Sequence, residues 1–137
     1  MESLYSLIHD FLKNRGIKPN DETSGSFSFS VNGLNFICDT NDKDPYFLRL
    51  TLPRINRPEA LLAEMMEDIQ RLNRMFKVAK IVKGADNFLW IYADTFIYST
   101  DQVDLLLDRL LQAMTDMINS YFSIEKVKKD ETGQTQQ

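Results

Sequence analysis

The chain has 137 residues, 43% of them hydrophobic and 26% charged, a size and balance that fit one globular domain and exclude a disordered, collagen-like or mucin-like polymer. Its 20 acidic and 16 basic residues leave a net charge of −4, so it lacks a footprint for phosphate backbones and nucleic acid is not the expected partner. The longest apolar stretches, such as Phe88 to Ala93, fall far short of the roughly 18 to 20 residues that cross a bilayer, which excludes a helical membrane span.

Leu4, Leu7, Ile8, Phe11 and Leu12 recur at three and four residues and predict a first helix that Gly16 can terminate. Glu2 stands where a secretion signal would carry positive charge, so this segment reads as part of the mature domain. Lys18 to Ser26 is polar, contains Pro19 and Gly25, and predicts a loop. Phe27, Phe29 and Val31 then alternate with serines, Asn32-Gly33 supplies the positive φ angles of a type I′ turn, and Leu34, Phe36 and Cys38 resume the alternation. A two-residue loop sets Val31 against Leu34, Phe29 against Phe36 and Phe27 against Cys38, all on one face. An acidic loop over Asp39 to Pro45 leads to a third strand. There Tyr46, Leu48, Leu50 and Leu52 alternate with Phe47, Arg49 and Thr51 until Pro53 ends the pairing.

Pro58 fits the first turn of a second helix, with Asn56 as its cap and Leu61, Leu62, Met65, Met66, Ile69, Leu72 and Phe76 as its apolar stripe. Asn73 falls inside that stripe and is expected to bond to backbone at the entry to the next strand. Val78 to Lys83 and Phe88 to Tyr98 predict a second hairpin around Gly84 to Asn87, and Ser99, Thr100 and Asp101 offer caps for a third helix running to about Phe122. The polar segment 128–137 is expected to be a disordered tail after a single domain over residues 1–127. The expected fold is α+β in the order helix, three strands, helix, two strands, helix, with an antiparallel five-stranded sheet packed by three helices.

This order, with Leu72-Asn73 late in helix two followed by the Val78 to Tyr98 hairpin, resembles the class I type III secretion chaperone fold and its relatives grouped as bacterial sensory transduction regulators. The resemblance covers roughly residues 1 to 125. It implies a non-enzymatic dimeric protein that holds an extended segment of another protein, and it transfers no catalytic residue.

The search for chemistry is mostly exclusion. The single histidine, His9, lies at the edge of the first helical stripe and is expected to be solvated. The single cysteine, Cys38, cannot form an internal disulfide; it fits a reducing compartment, with the cytoplasm as the expected location, and facing Phe27 it should be an inert core thiol. Asp39, Asn41, Asp42 and Asp44 crowd one loop but lack the glycine and closing glutamate of a calcium-binding loop, so they read as a solvated turn whose side chains bond to their own backbone. No zinc, phosphate-loop or dinucleotide motif is present, and no cofactor is expected. Glu64, Asp94 and Asp104 are the carboxylates an unrecognised acid–base site would draw on.

The apolar residues say more. On the third helix Leu106, Leu110, Ala113 and Met117 make a core stripe, and Leu107, Leu111, Ile118 and Phe122 widen it to about half the circumference, against the roughly 100° of an ordinary surface helix. Either helix one covers the extra arc, the favoured reading, or it forms a dimer or partner surface. In the second hairpin Trp90 and Tyr92 point one way and Leu89, Ile91 and Ala93 the other. A strand covered on both sides is favoured because large aromatics are more often inside than out. The alternative has three helices on one side, leaving Trp90, Tyr92, Phe47 and Ile37 as an aromatic platform. Met75 lies opposite the apolar stripe of helix two, where an exposed methionine points to contact with another chain. The expected function is therefore a non-enzymatic protein-binding domain, chaperone- or adaptor-like and homodimeric; a small-molecule-binding regulatory domain or a carboxylate enzyme is the alternative. The candidate interface is Met75, Leu107, Leu111, Ile118, Phe122, Trp90, Tyr92 and Phe47.

Overall fold

The computed structural model describes residues 3–57 and 63–135, with side chains up to Val127. The fold is α+β: three helices on an antiparallel sheet of six strands in the order β1-β2-β3-β4-β6-β5. Helix α1 (Leu4–Asn14) starts at Ser3, whose hydroxyl accepts from the Ser6 N–H, and closes before Gly16, which takes φ 72°. The extra strand, β1 (Asn20–Thr23), corrects the expected loop and the expected count of five. It pairs with β2, and all four of its side chains are exposed, so neither alternation nor apolar content marks it in the sequence.

Strands β2 (Ser26–Val31) and β3 (Leu34–Asn41) form the first hairpin in the expected register, Val31 against Leu34, Phe29 against Phe36 and Phe27 against Cys38, with Asn32 and Gly33 both at positive φ. Strand β4 (Asp44–Asn56) does not stop at Pro53. Pairing with β6 (Leu89–Phe96) breaks after Leu52 opposite Ile91 and resumes at Asn56 opposite Leu89, so Pro53 to Ile55 bulge out across from Trp90 alone. The amide of Asn56, the expected helix cap, donates to the Tyr121 hydroxyl at 2.8 Å and to Glu125 at 2.6 Å, tying the end of β4 to the third helix; the first turn that it was expected to cap lies outside the described residues. Helix α2 is described from Ala63 to Met75; Pro58, Leu61 and Leu62 lie outside the described residues. Strand β5 (Ala79–Lys83) forms the sheet edge beside β6. Helix α3 (Val103–Thr135) follows a turn of 3₁₀ helix at Thr100–Gln102, and its backbone continues through the segment where a disordered tail is expected. No proline interrupts residues 128–135, so a helix already formed can be extended through them.

All three helices pack on one face of the sheet. There Phe27, Phe36, Leu48, Leu50, Leu89 and Ile91 meet Ile8 and Leu12 of α1, Ile69 and Leu72 of α2, and Leu107 and Met114 of α3. His9 is not solvated: its ring lies 4.6 Å from Phe27 and 4.5 Å from Tyr5, and Nε2 stands 3.2 Å from the Asp21 carboxylate. The Tyr5 hydroxyl donates to the same carboxylate, so α1 is pinned to the exposed edge strand β1. No helix among the described residues is long and apolar enough to cross a membrane.

Candidate functional site

The sheet face on which no helix of the described residues packs is the most distinctive surface of the molecule. Strand alternation sends Leu89, Ile91 and Ala93 into the core, so Trp90 and Tyr92 must point away from the helices, and Phe88 and Phe96 continue their row. The aromatic platform, not the doubly covered strand, is what the fold builds. Covering β6 on both sides would need a helix on the far face, and α1, α2 and α3 are all used on the near one. The Trp90 and Tyr92 rings are parallel to within 7° with centroids 6.5 Å apart. Phe96 and Tyr98 stack at 6.2 Å, and Phe47 meets Phe96 edge-on at 6.0 Å. Phe47, Trp90 and Tyr92 are half-buried, whereas Phe96 and Tyr98 are 51% and 65% exposed.

Three guanidinium groups line this row. Arg49 lies 5.0 Å from the Tyr92 centroid and makes a two-pronged ion pair with Asp94 at 2.7 and 3.0 Å. Arg54 and Arg57 stand 5.3 and 5.7 Å from the centroid of Phe88. Arg54 reaches there because the β4 bulge places its backbone at φ 49°. The turn between β5 and β6 is fitted just as closely. Asp86 accepts hydrogen bonds from the Phe88 N–H at 3.0 Å and the Trp90 indole N–H at 3.3 Å, and Arg54 Nε lies 3.1 Å away. Partial burial opposes the charge on Asp86, but these donors outweigh it and hold the carboxyl below its ordinary range. A Cβ on Gly84 would fall 2.6 Å from Trp90 Nε1, so only glycine lets the indole cross this turn.

A second apolar surface lies on the opposite layer, where α2 and α3 diverge. Met75 is 67% exposed and Phe122 42%, and Met75, Phe76 and Ile124 line an open groove with Arg71, Asn119 and Ser123 at its rim. The wide arc on α3 is mostly internal: Leu107 and Ile118 are buried at 2% and 3% exposure and line no free surface, and Leu111 is half-buried. The true centre of the stripe is Val103, Leu107, Leu110, Met114, Met117 and Tyr121, because α3 lies on the sheet while touching both α1 and α2. Met75 and Phe122 therefore share one layer, and Trp90, Tyr92 and Phe47 share the other.

The groups considered for catalysis are dispersed. Cys38 is fully buried against Phe27 in the core, and burial pushes its thiol well above the ordinary range. Asn41 and Asp44 accept from the backbone N–H groups of Lys43 and Tyr46 at 2.9 and 3.1 Å, as a self-bonded turn should. Asp94 is paired with Arg49, while Glu64 and Asp104 sit exposed on α2 and α3. Among the described residues no three histidine, cysteine or carboxylate side chains gather in a metal-binding group. Sequence reasoning named Trp90, Tyr92 and Phe47 but missed Phe88, Phe96, Tyr98, Arg54 and Arg57; the even-numbered run from Phe88 to Tyr98 was the signal that could have found three of these. No protein-family model matches the sequence, and no curated protein matches it.

Proposed function

We propose that this is a non-enzymatic protein-binding domain that holds an extended segment of another protein on the helix-free face of its sheet. In this reading it acts in the manner of class I type III secretion chaperones or regulatory adaptors, and as a homodimer. The observation that carries the reading is the aromatic surface on the face where no described helix packs, with Phe88, Trp90 and Tyr92 on one side of the Arg49–Asp94 ion pair and Phe47, Phe96 and Tyr98 on the other. A contiguous patch of this kind is uncommon on a monomer that meets no partner, and stacked rings offer apolar area with little side-chain entropy left to lose. The groove lined by Met75, Phe76 and Ile124, in the helical layer where Phe122 is also exposed, can receive the second copy without obstructing that face.

The test is retention of partner proteins from the native host by the tagged domain. Wild type should retain at least one protein that the double variant Phe96→Ser/Tyr98→Ser, shown by circular dichroism to be folded, does not. Equal retention by both, or retention of nothing by either, would refute the assignment of function to this face.

A further inference from the structure

We propose that the segment held on this face is acidic: its side-chain carboxylates engage Arg54 and Arg57 beside Phe88, while its apolar side chains enter the gap between Trp90 and Tyr92. The inference rests on the protein-binding reading and names the partner's chemistry. Charge is the first argument. The chain as a whole carries −4, yet at the Phe88 end of the aromatic row Arg54 and Arg57 both stand over the ring, and among the described residues there the carboxylate beside them is Asp86, which pairs with Arg54. A guanidinium stacked over a ring still presents its N–H fork sideways, and that fork matches a carboxylate. Arg54 is 62% exposed, so its fork is within reach of a second partner.

Backbone conformation is the second argument. Arg54 holds a left-handed φ of 49° although it is neither glycine nor asparagine. Such conformations persist where the surroundings over-determine them, and they gather at binding sites. The bulge that imposes φ on Arg54 is what swings its side chain over Phe88.

Trp90 is the only tryptophan in the chain, so its emission reports directly on this face. The full chain is titrated with an array of acetylated, amidated short peptides that combine leucine, proline or phenylalanine with glutamate, glutamine or lysine at every spacing. Their blocked ends leave side chains as the sole carboxylates. Glutamate peptides should shift Trp90 emission saturably, bind about ten-fold more tightly than their glutamine counterparts, and lose that advantage in Arg57→Gln and in high salt. Arg57→Gln changes an exposed side chain and leaves the Asp86 contacts intact, so its effect reads recognition and not folding. Equal binding of glutamate, glutamine and lysine peptides would overturn the acidic partner and leave the protein-binding reading standing. A shift produced by an oligothymidylate in place of the peptides would overturn both. No shift with any peptide would overturn this inference, and partner retention would then decide the broader reading by itself.

Discussion

Asn73 directs both ends of its amide at one residue, donating to the Ile81 carbonyl at 2.9 Å and accepting from the Ile81 N–H at 2.7 Å. β5 is an edge strand, and an edge presents backbone groups that invite pairing with another chain. The side chain thus takes the place of a neighbouring strand, while Lys80 Nζ donates to the carbonyls of Asn73 in the last turn of α2 and of Phe76 just after it. Asn73→Ala should lower stability by about 1–3 kcal/mol in urea unfolding, since it leaves both Ile81 groups unpaired in a partly buried place. Asn73→Asp should be at least as damaging, because it loses the donor and sets a charge against a carbonyl. An unchanged midpoint in either variant would show that the pairing contributes nothing. This residue was legible because an amide inside an apolar stripe needs a partner. His9 was not, since its contacts come from β1, a strand without a pattern. At the surface, Arg15 bridges α1 to Asp108 of α3, and its hydrogen bonds hold the Asp108 carboxyl below the ordinary carboxylate range. The folded state therefore takes up that proton later than the unfolded one. The contribution is present above about pH 4 and fades as the pH falls through the depressed value. Asp108→Asn should accordingly unfold less steeply on acidification than wild type, by a small margin because both side chains are about half exposed.

Among the elements, α3 separates what a helical wheel can and cannot decide. The breadth of its apolar arc was readable from spacing, but which border is covered depends on where α1 and α2 lie, and those positions come from long-range packing. Leu107→Ala and Ile118→Ala should each cost about 2–5 kcal/mol, as truncations of fully packed side chains do, whereas Phe122→Ala should change monomer stability far less. A urea series on the three variants checks the ranking, and a large loss at Phe122 would mean that it belongs to the core. The first hairpin was legible for a different reason: a two-residue turn at Asn32-Gly33 fixes the register of every pair that follows it. The bulge in β4 was hidden because Pro53 read as the end of a strand, when the pairing merely skips to Asn56. That bulge carries Arg54 to Phe88, so the unreadable part of the fold is the part that shapes the candidate site.

For the whole molecule, placing every helix on one face of the sheet yields two separate surfaces instead of one. The groove of Met75, Phe76 and Ile124 lies in the helical layer, and the row from Phe88 to Tyr98 lies on the far side of the sheet. If the groove joins two copies and the sheet face holds the client, the two activities should be independently removable. Met75→Glu/Phe122→Glu puts two charges into an apolar contact, which is expected to give a monomer by light scattering at micromolar concentration and to leave peptide-induced shifts of Trp90 intact. Arg57→Gln should do the reverse, keeping the dimer and removing the advantage of glutamate peptides in the shift. Loss of both properties in either variant would mean that the surfaces are coupled through the sheet. A wild-type protein that is strictly monomeric would remove the second copy and leave Met75 and Phe122 as plain exposed side chains. The separation matters for mechanism, because a twofold assembly built through the helical layer turns both aromatic rows outward, and one extended client could then engage two faces with greater avidity than either face gives alone.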